Sequence, residues 1–247
     1  MPLTPLTSAA EVLLATRHDP FARASLRRPV VRGWVHEGAV AWVGTDPEER
    51  RPYLSALGDP EAVARLLGEL VPELPPRQRV TLPRGTAARL PAWVGVQGVD
   101  WDFRWTAAAP PPQPGEDRVT TVTDGAVAAL LAVANPTASA QPGDAKVREW
   151  LGVPGEDGAL LACAADTSGA SGIGHLSSIA VHPDVRGRGL GRALTAAATR
   201  RLLDRGCEFV TLGLYADNTA GRALYDALGF SADHAFTSGP LLVRNRW

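Results

Sequence analysis

The sequence has 247 residues, 45% of them hydrophobic and 21% charged, with a formal net charge of -1. That apolar share supplies a packed core and excludes a disordered or fibrous chain, and the length suits one large domain or two small ones. A near-neutral balance gives no global pull toward nucleic acid or an anionic membrane, Cys163 and Cys207 are too few for a disulfide scaffold, and no apolar run approaches the roughly 20 residues that span a bilayer.

Met1 to Ala15 lacks a basic region ahead of its apolar residues, and Glu11 interrupts them, so no secretory signal is expected and a cytoplasmic location fits best. Ser8 to Glu11 fits a capping box, which predicts a helix near residues 8 to 16, stopped by Asp19-Pro20. Val30 to Val43 suggests two strands joined by a turn around His36 to Gly38. Asp59-Pro60 opens a helix whose Val63, Leu66, Leu67 and Leu70 share one face. Gln78 to Leu82 and Val99 to Trp105 follow as strands, the second alternating Trp101, Phe103 and Trp105 with Asp102 and Arg104. Five of the seven tryptophans lie in this first half. Packing is the favoured use for such a set, with an acceptor pocket or adenine stacking as the competing one.

Ala107 to Asp117 is rich in proline and predicts a semi-rigid linker, so the division expected is an N-terminal α/β domain over 1–109, a linker over 110–117 and a second domain over 118–247. Beyond it the expected order is a strand at Arg118 to Val122, a helix at Ala126 to Ala134 and a second helix at Asp144 to Leu151 closed by Gly152. A strand at Ala159 to Ala165, a Ser/Gly-rich turn and a strand at Ile173 to Val181 come next. The chain then predicts a helix from Leu190 to Arg205, a strand from Phe209 to Tyr215, a helix from Thr219 to Leu228 and a closing strand near Leu241 to Val243.

The segment around Arg186, Gly187, Arg188, Gly189, Leu190, Gly191 and Arg192 carries the chemistry. Glycines lacking Cβ atoms let backbone N–H groups converge on a ligand oxygen, and the helix behind them adds unsatisfied first-turn donors and the positive end of its dipole. With three arginines, this is a phosphate or pyrophosphate cradle. The Gly-x-Gly-x-Gly spacing is neither the dinucleotide Gly-x-Gly-x-x-Gly nor a P-loop with its Lys-Ser/Thr ending. No metal-spaced Cys/His cluster, nucleophile elbow or pair of general-acid carboxylates accompanies it.

The run SIAVHPDVRGRGLGRAL, followed at a normal distance by YADNTAGRALYDALGF, resembles the GNAT superfamily of acyl-CoA N-acyltransferases over the C-terminal half. The resemblance implies a mixed, mostly antiparallel twisted sheet flanked by helices, with a smaller α/β, GNAT-like half in front of it. The superfamily includes tandem members in which one copy has lost its cofactor loop. It further implies acetyl-CoA as co-substrate and no metal, an Arg186 to Gly191 pyrophosphate site, and a bulged strand that turns backbone groups at Ile179, Ala180 and Val181 toward the pantetheine and thioester. The acceptor would be a small-molecule or peptide amine. Neither nucleic acid nor membrane is expected as a partner, and an oligomer is left open.

Direct attack of an amine on a thioester requires donors for the developing oxyanion, a proton for the leaving thiolate and a base for the ammonium. Tyr225 falls where the family motif carries a tyrosine acid; the competing reading is a packed tyrosine with a satisfied hydroxyl. Asn218 opens the same helix, as N-cap alone or as cap and pantetheine contact. Where some family members carry a glutamate base, this sequence has His175, with Ser177 on the same strand face; a structural histidine is the alternative. His182 is read as structural. Asp100 and Asp102 beside tryptophans could meet a cationic amine, with exposed strand carboxylates of no function as the competing reading. Two other functions remain in view: a non-catalytic acyl-CoA binding or sensing module, and a first half that gates the second.

Overall fold

The computed structural model describes residues 3–26, 30–45, 52–75 and 77–243. Its chain divides into two compact units, one of Met1–Phe103 with Asp233–Trp247 and one of Arg104–Ala232.

In the first unit, β1 (Thr4–Leu6) precedes α1 (Ala9–Ala15) and α2 (Pro20–Ser25). The Ser8/Glu11 capping box at α1 forms as expected. Asp19-Pro20 does not merely stop α1: the Asp19 carboxylate accepts from the N–H groups of Phe21 and Ala22, and Pro20 supplies the first position of α2. Strands β2 (Val30–His36) and β3 (Ala39–Thr45) form a hairpin turning at Glu37 and Gly38, both with positive φ. β4 (Pro52–Leu57), α3 (Pro60–Leu70) and β5 (Arg79–Pro83) follow. The order β1-β2-β3-β4-β5 is antiparallel except for the parallel pair β4/β5. α3 lays Val63, Leu66, Leu67 and Leu70 on Trp34, Leu54, Val80 and Leu82, all buried. Burying each such side chain stabilises the fold by about 1.5–3 kcal/mol. Phe21, Trp42, Trp101, Phe103 and Phe236 form a contiguous aromatic group, so these tryptophans pack. Asp102 is not exposed: it is buried and accepts from Arg84 Nη2 at 2.7 Å, while Asp100 takes a bond from Thr237. β6 (Val94–Val96) follows, and β7 (Val99–Thr106) carries the chain onward.

The second unit runs β8 (Thr120–Thr121), α4 (Asp124–Ala134), β9 (Glu149–Pro154), β10 (Leu160–Asp166), β11 (Ile173–Val181), α5 (Leu190–Asp204), β12 (Phe209–Tyr215) and α6 (Thr219–Ala227). Its order, β8-β9-β10-β11-β12, is again antiparallel up to one parallel pair, β11/β12. α5 and α6 cover one face through Leu194, Ala198, Leu202, Tyr225 and Leu228 against Leu176, Val210, Leu212 and Leu214. α4 covers the other, with Val127, Leu130 and Leu131 on Trp150, Cys163, Ala165 and Ala180.

Three expectations fail here. Residues 149–154 are a strand, not the end of a helix, because Trp150, Leu151 and Val153 gain a full ladder on β10. Gly152 is no helix stop: a Cβ there would lie 2.8 Å from the Ala162 carbonyl oxygen, so glycine permits the close strand approach. The Pro-rich run is not a boundary. It belongs to the second unit, where Arg200 on α5 donates to Pro110 O and to both oxygens of Glu116. The closing strand, β13 (Ser231–Val243), starts ten residues earlier than expected, and from Asp233 on it belongs with the first unit, paired to β5 and β6.

Candidate active site

β11 is regular up to Ser177 and then bulges. Ser178 has φ +50°, and Ser178 and Ile179 together stand opposite the single Ala164, between the pairs Ala165↔Ser177 and Cys163↔Ala180. A left-handed serine costs about 1–2 kcal/mol, and its side chain explains what holds it. Ser178 Oγ donates to the Ala140 carbonyl (2.9 Å) and accepts from the Ala140 N–H (2.8 Å), inside a buried cluster. The bulge therefore begins one residue before the Ile179, Ala180 and Val181 stretch of the sequence reading. Ser178 is a site residue that strand alternation alone does not reveal.

Beyond the bulge, β11 and β12 part. Their register runs from Ile173↔Phe209 to Leu176↔Leu212, leaving Ser177–Val181 and Gly213–Tyr215 unmatched to one another among the described residues. An opening at the C-terminal ends of adjacent parallel strands is where α/β sheets receive ligands.

Val181 leads directly to the glycine loop. His182 is structural, its Nδ1 accepting from Asp184 N–H and its N–H donating to Leu161 O. Gly187 and Gly189 have φ of +77° and +81°, and the space beside both is open. Gly189 is also the N-cap of α5, with no side chain bonded to the first-turn N–H groups of Leu190, Gly191 and Arg192. Arg186 and Arg188 hold their place through the carbonyls of Val181 and Asp184, and among the described residues no carboxylate pairs with Arg186, Arg188 or Arg192. Free donors and uncompensated positive charge thus meet at one end of a 15-residue helix.

Asn218 caps α6 by accepting from Gly221 N–H at 2.8 Å. Tyr225, about two turns later, is 7% exposed, its ring 5.8 Å from Phe230, and burial pushes its phenol up to about 12. Its neighbour Asp226 pairs with the buried Arg104 of β7. His175 lies on the other face of the sheet, where its Nδ1 is 2.9 Å from Thr211 Oγ1 and where Ser177 and Thr167 share a hydroxyl contact at 3.2 Å. Tyr225 and His175 thus lie on opposite faces of the sheet, His175 within the paired part of β11 and β12. Cys163 is fully buried, and burial raises its thiol to about 12, so it carries no thiolate near neutral pH and does not serve as a nucleophile. Among the described residues no group of His, Cys, Asp or Glu is arranged to hold a metal, and no helix is long and apolar enough to cross a membrane.

This loop, bulge and helix lie within the stretch matched by a model of the acetyltransferase (GNAT) family, residues 143–230. Residues 143–230 are a GNAT acetyltransferase domain. Similar curated proteins include a mycothiol acetyltransferase of Kocuria rhizophila, 45% identical over 62 residues, 25% of this chain and 20% of that protein. An acetyltransferase of Pectobacterium atrosepticum is 36% identical over 76 residues, 30% of this chain and 54% of that protein. The match thus spans about a fifth of the mycothiol acetyltransferase's length and about half of the second relative's. Among solved structures, a GCN5-related N-acetyltransferase from Sphaerobacter thermophilus has a TM-score of 0.57 at 17% identity, covering 98% of this chain and 96% of that one. One from Kribbella flavida has a TM-score of 0.53 at 19% identity, covering 97% of both chains. At these identities the likeness is one of fold, and it extends beyond the GNAT domain to the whole chain.

Proposed function

We propose that the second unit is an acetyl-CoA-dependent N-acetyltransferase that moves the acetyl group directly to a primary amine. The observation that carries this reading is the continuity of the bulged β11 with an uncapped, glycine-lined helix N-terminus. One segment offers backbone donors to a thioester oxygen at Ile179 to Val181 and donors plus arginine charge to a pyrophosphate at Arg186 to Arg192. Asn218 orients the pantetheine arm. Tyr225 is the acid that protonates the leaving thiolate, and His175 the base that takes the ammonium proton. The inert Cys163 favours direct transfer over a cysteine-bound acyl group.

The first unit is a copy of the same plan without the cofactor site. Its strand order and single parallel pair repeat those of the second unit, but β4 carries no bulge, only Gly58-Asp59 joins it to α3, and the Asp59 carboxylate already accepts from Glu61 and Ala62 N–H. A carboxylate in that position repels a phosphate. The acyl-CoA binding module is the second reading, favoured by one observation: a phenol raised to about 12 is a weaker acid than an ordinary tyrosine.

A thiol-release assay with acetyl-CoA across a panel of small amines, amino acids and peptide N-termini separates the two. Release that depends on an added amine supports the transferase. Tight acetyl-CoA binding with no release above the solvent background for any amine favours the binding module.

A further inference from the structure

The structure assigns Thr211 a positioning role for the His175 base, an inference that rests on the transferase reading above. Thr211 stands on β12 directly beside His175 on β11, in the register of the parallel pair. Its side chain is fully buried, so no bulk water competes for its hydroxyl. Two polar atoms approach that hydroxyl: the Gly174 carbonyl oxygen at 2.9 Å and His175 Nδ1 at 2.9 Å. A threonine hydroxyl has one proton and two lone pairs. A carbonyl oxygen accepts only, so the Thr211 proton goes to Gly174 O, and the lone pair left on Oγ1 must receive a proton from Nδ1. The opposite assignment, with Thr211 donating to Nδ1, would press two acceptor oxygens together at 2.9 Å inside a buried site with no proton between them.

This arrangement decides which imidazole nitrogen is basic. With its proton on Nδ1, neutral His175 carries its lone pair on Nε2. A free neutral imidazole prefers the reverse. The backbone supports the same ring from the strand: His175 N–H donates to Ser168 Oγ, and His175 C=O accepts from Thr167 N–H. When the substrate ammonium gives up a proton, Nε2 takes it. The imidazolium that results keeps its Nδ1–H bond to Thr211, so the ring does not turn during the proton's stay, and the proton then passes to solvent. The Thr211 hydroxyl thereby gives the base its orientation and its tautomer.

The test uses the full-length protein labelled with 15N. Long-range 1H–15N correlation spectra distinguish protonated from unprotonated ring nitrogens, and the His175 signals, among those of five histidines, are those lost in His175→Gln. At a pH where the ring is neutral, the wild-type protein shows the proton on Nδ1, and Thr211→Ser keeps it there. Thr211→Val moves it to Nε2 and lowers kcat/KM in amine-dependent thiol release by roughly 10- to 100-fold, while Thr211→Ser restores most of the loss. A wild-type spectrum with the proton on Nε2 overturns the assignment without any variant, as does an unchanged tautomer or an unchanged rate in Thr211→Val. Full activity in His175→Gln is a different result: it removes the base itself, and Thr211 loses its role in the reaction with it.

Discussion

In the proposed reaction, Tyr225 divides its work between core and chemistry. Its ring belongs to the buried cluster under α6, and the same burial that packs it disfavours its phenolate, raising the phenol to about 12. The group therefore remains protonated, and able to donate, throughout the physiological range. Because the protonated form is the active one and the shift is upward, ionisation of Tyr225 removes activity only as pH approaches 12. An enzyme relying on it keeps its kcat between pH 8 and 10, whereas a tyrosine at the ordinary value of about 10 would already be half ionised at the upper end. Tyr225→Phe deletes one oxygen and leaves the ring in place. It is expected to lower kcat by about 100-fold with acetyl-CoA affinity nearly unchanged. Steady-state kinetics with calorimetry check this; an unchanged kcat removes Tyr225 from the reaction. At this scale the sequence was informative where backbone geometry follows a motif, as at the positive-φ Gly187 and Gly189 and the helix cap Asn218. It was silent at Ser178 and Thr211, whose roles depend on partners 38 and 37 residues away, at Ala140 and Gly174.

Elements were legible wherever their ends carry their own signals. Ser8/Glu11, Asp59-Pro60, Asn218 and the positive-φ glycines Gly206 and Gly229 mark helix ends through local backbone bonds, and the structure has helices between them. Strands depend on partners. β4 was missed, β9 was taken for a helix, and only the last three residues of β13 were seen, because each is made by ladders to other strands, neighbouring for β4 and β9 and distant for β13, rather than by signals at its own ends. The Pro-rich run is the instructive case. Composition predicts a linker, but one arginine secures it: Arg200 makes a two-pronged pair with Glu116 and a third bond to Pro110 O. Burial acts to raise the Glu116 carboxyl, but the bonds from Arg200 and from Gln113 N–H outweigh it and hold the group below the usual range. The contribution of this pair is therefore present above the ordinary glutamate value of 4.5 and is lost as pH falls below it. Arg200→Ala is expected to destabilise the fold by about 1–3 kcal/mol near neutral pH, read by urea denaturation, with a smaller difference from wild type at pH 3. A variant as stable as wild type near neutrality would return the segment to the status of a linker.

Over the whole molecule, the strand order of the first unit repeats that of the second. In the second, the strand before the helix bulges and the joining loop is long, glycine-rich and basic. In the first, the corresponding connection is two residues long, and Asp59 fills its own helix N-terminus. No composition or periodicity exposes this shared strand order, since the likeness is one of topology and the difference lies in a loop and a bulge. The proposed duplication predicts one cofactor site per chain, formed at the loop around Gly189. Calorimetric titration of the full-length protein with acetyl-CoA tests that most directly, with Gly189→Glu as the companion variant: at φ +81° a non-glycine residue is strained, and the added carboxylate faces the pyrophosphate. The account predicts one acetyl-CoA bound per chain and no measurable binding to the folded Gly189→Glu protein. Two equivalents bound per chain, no binding to the wild type, or unchanged affinity in the variant would contradict it.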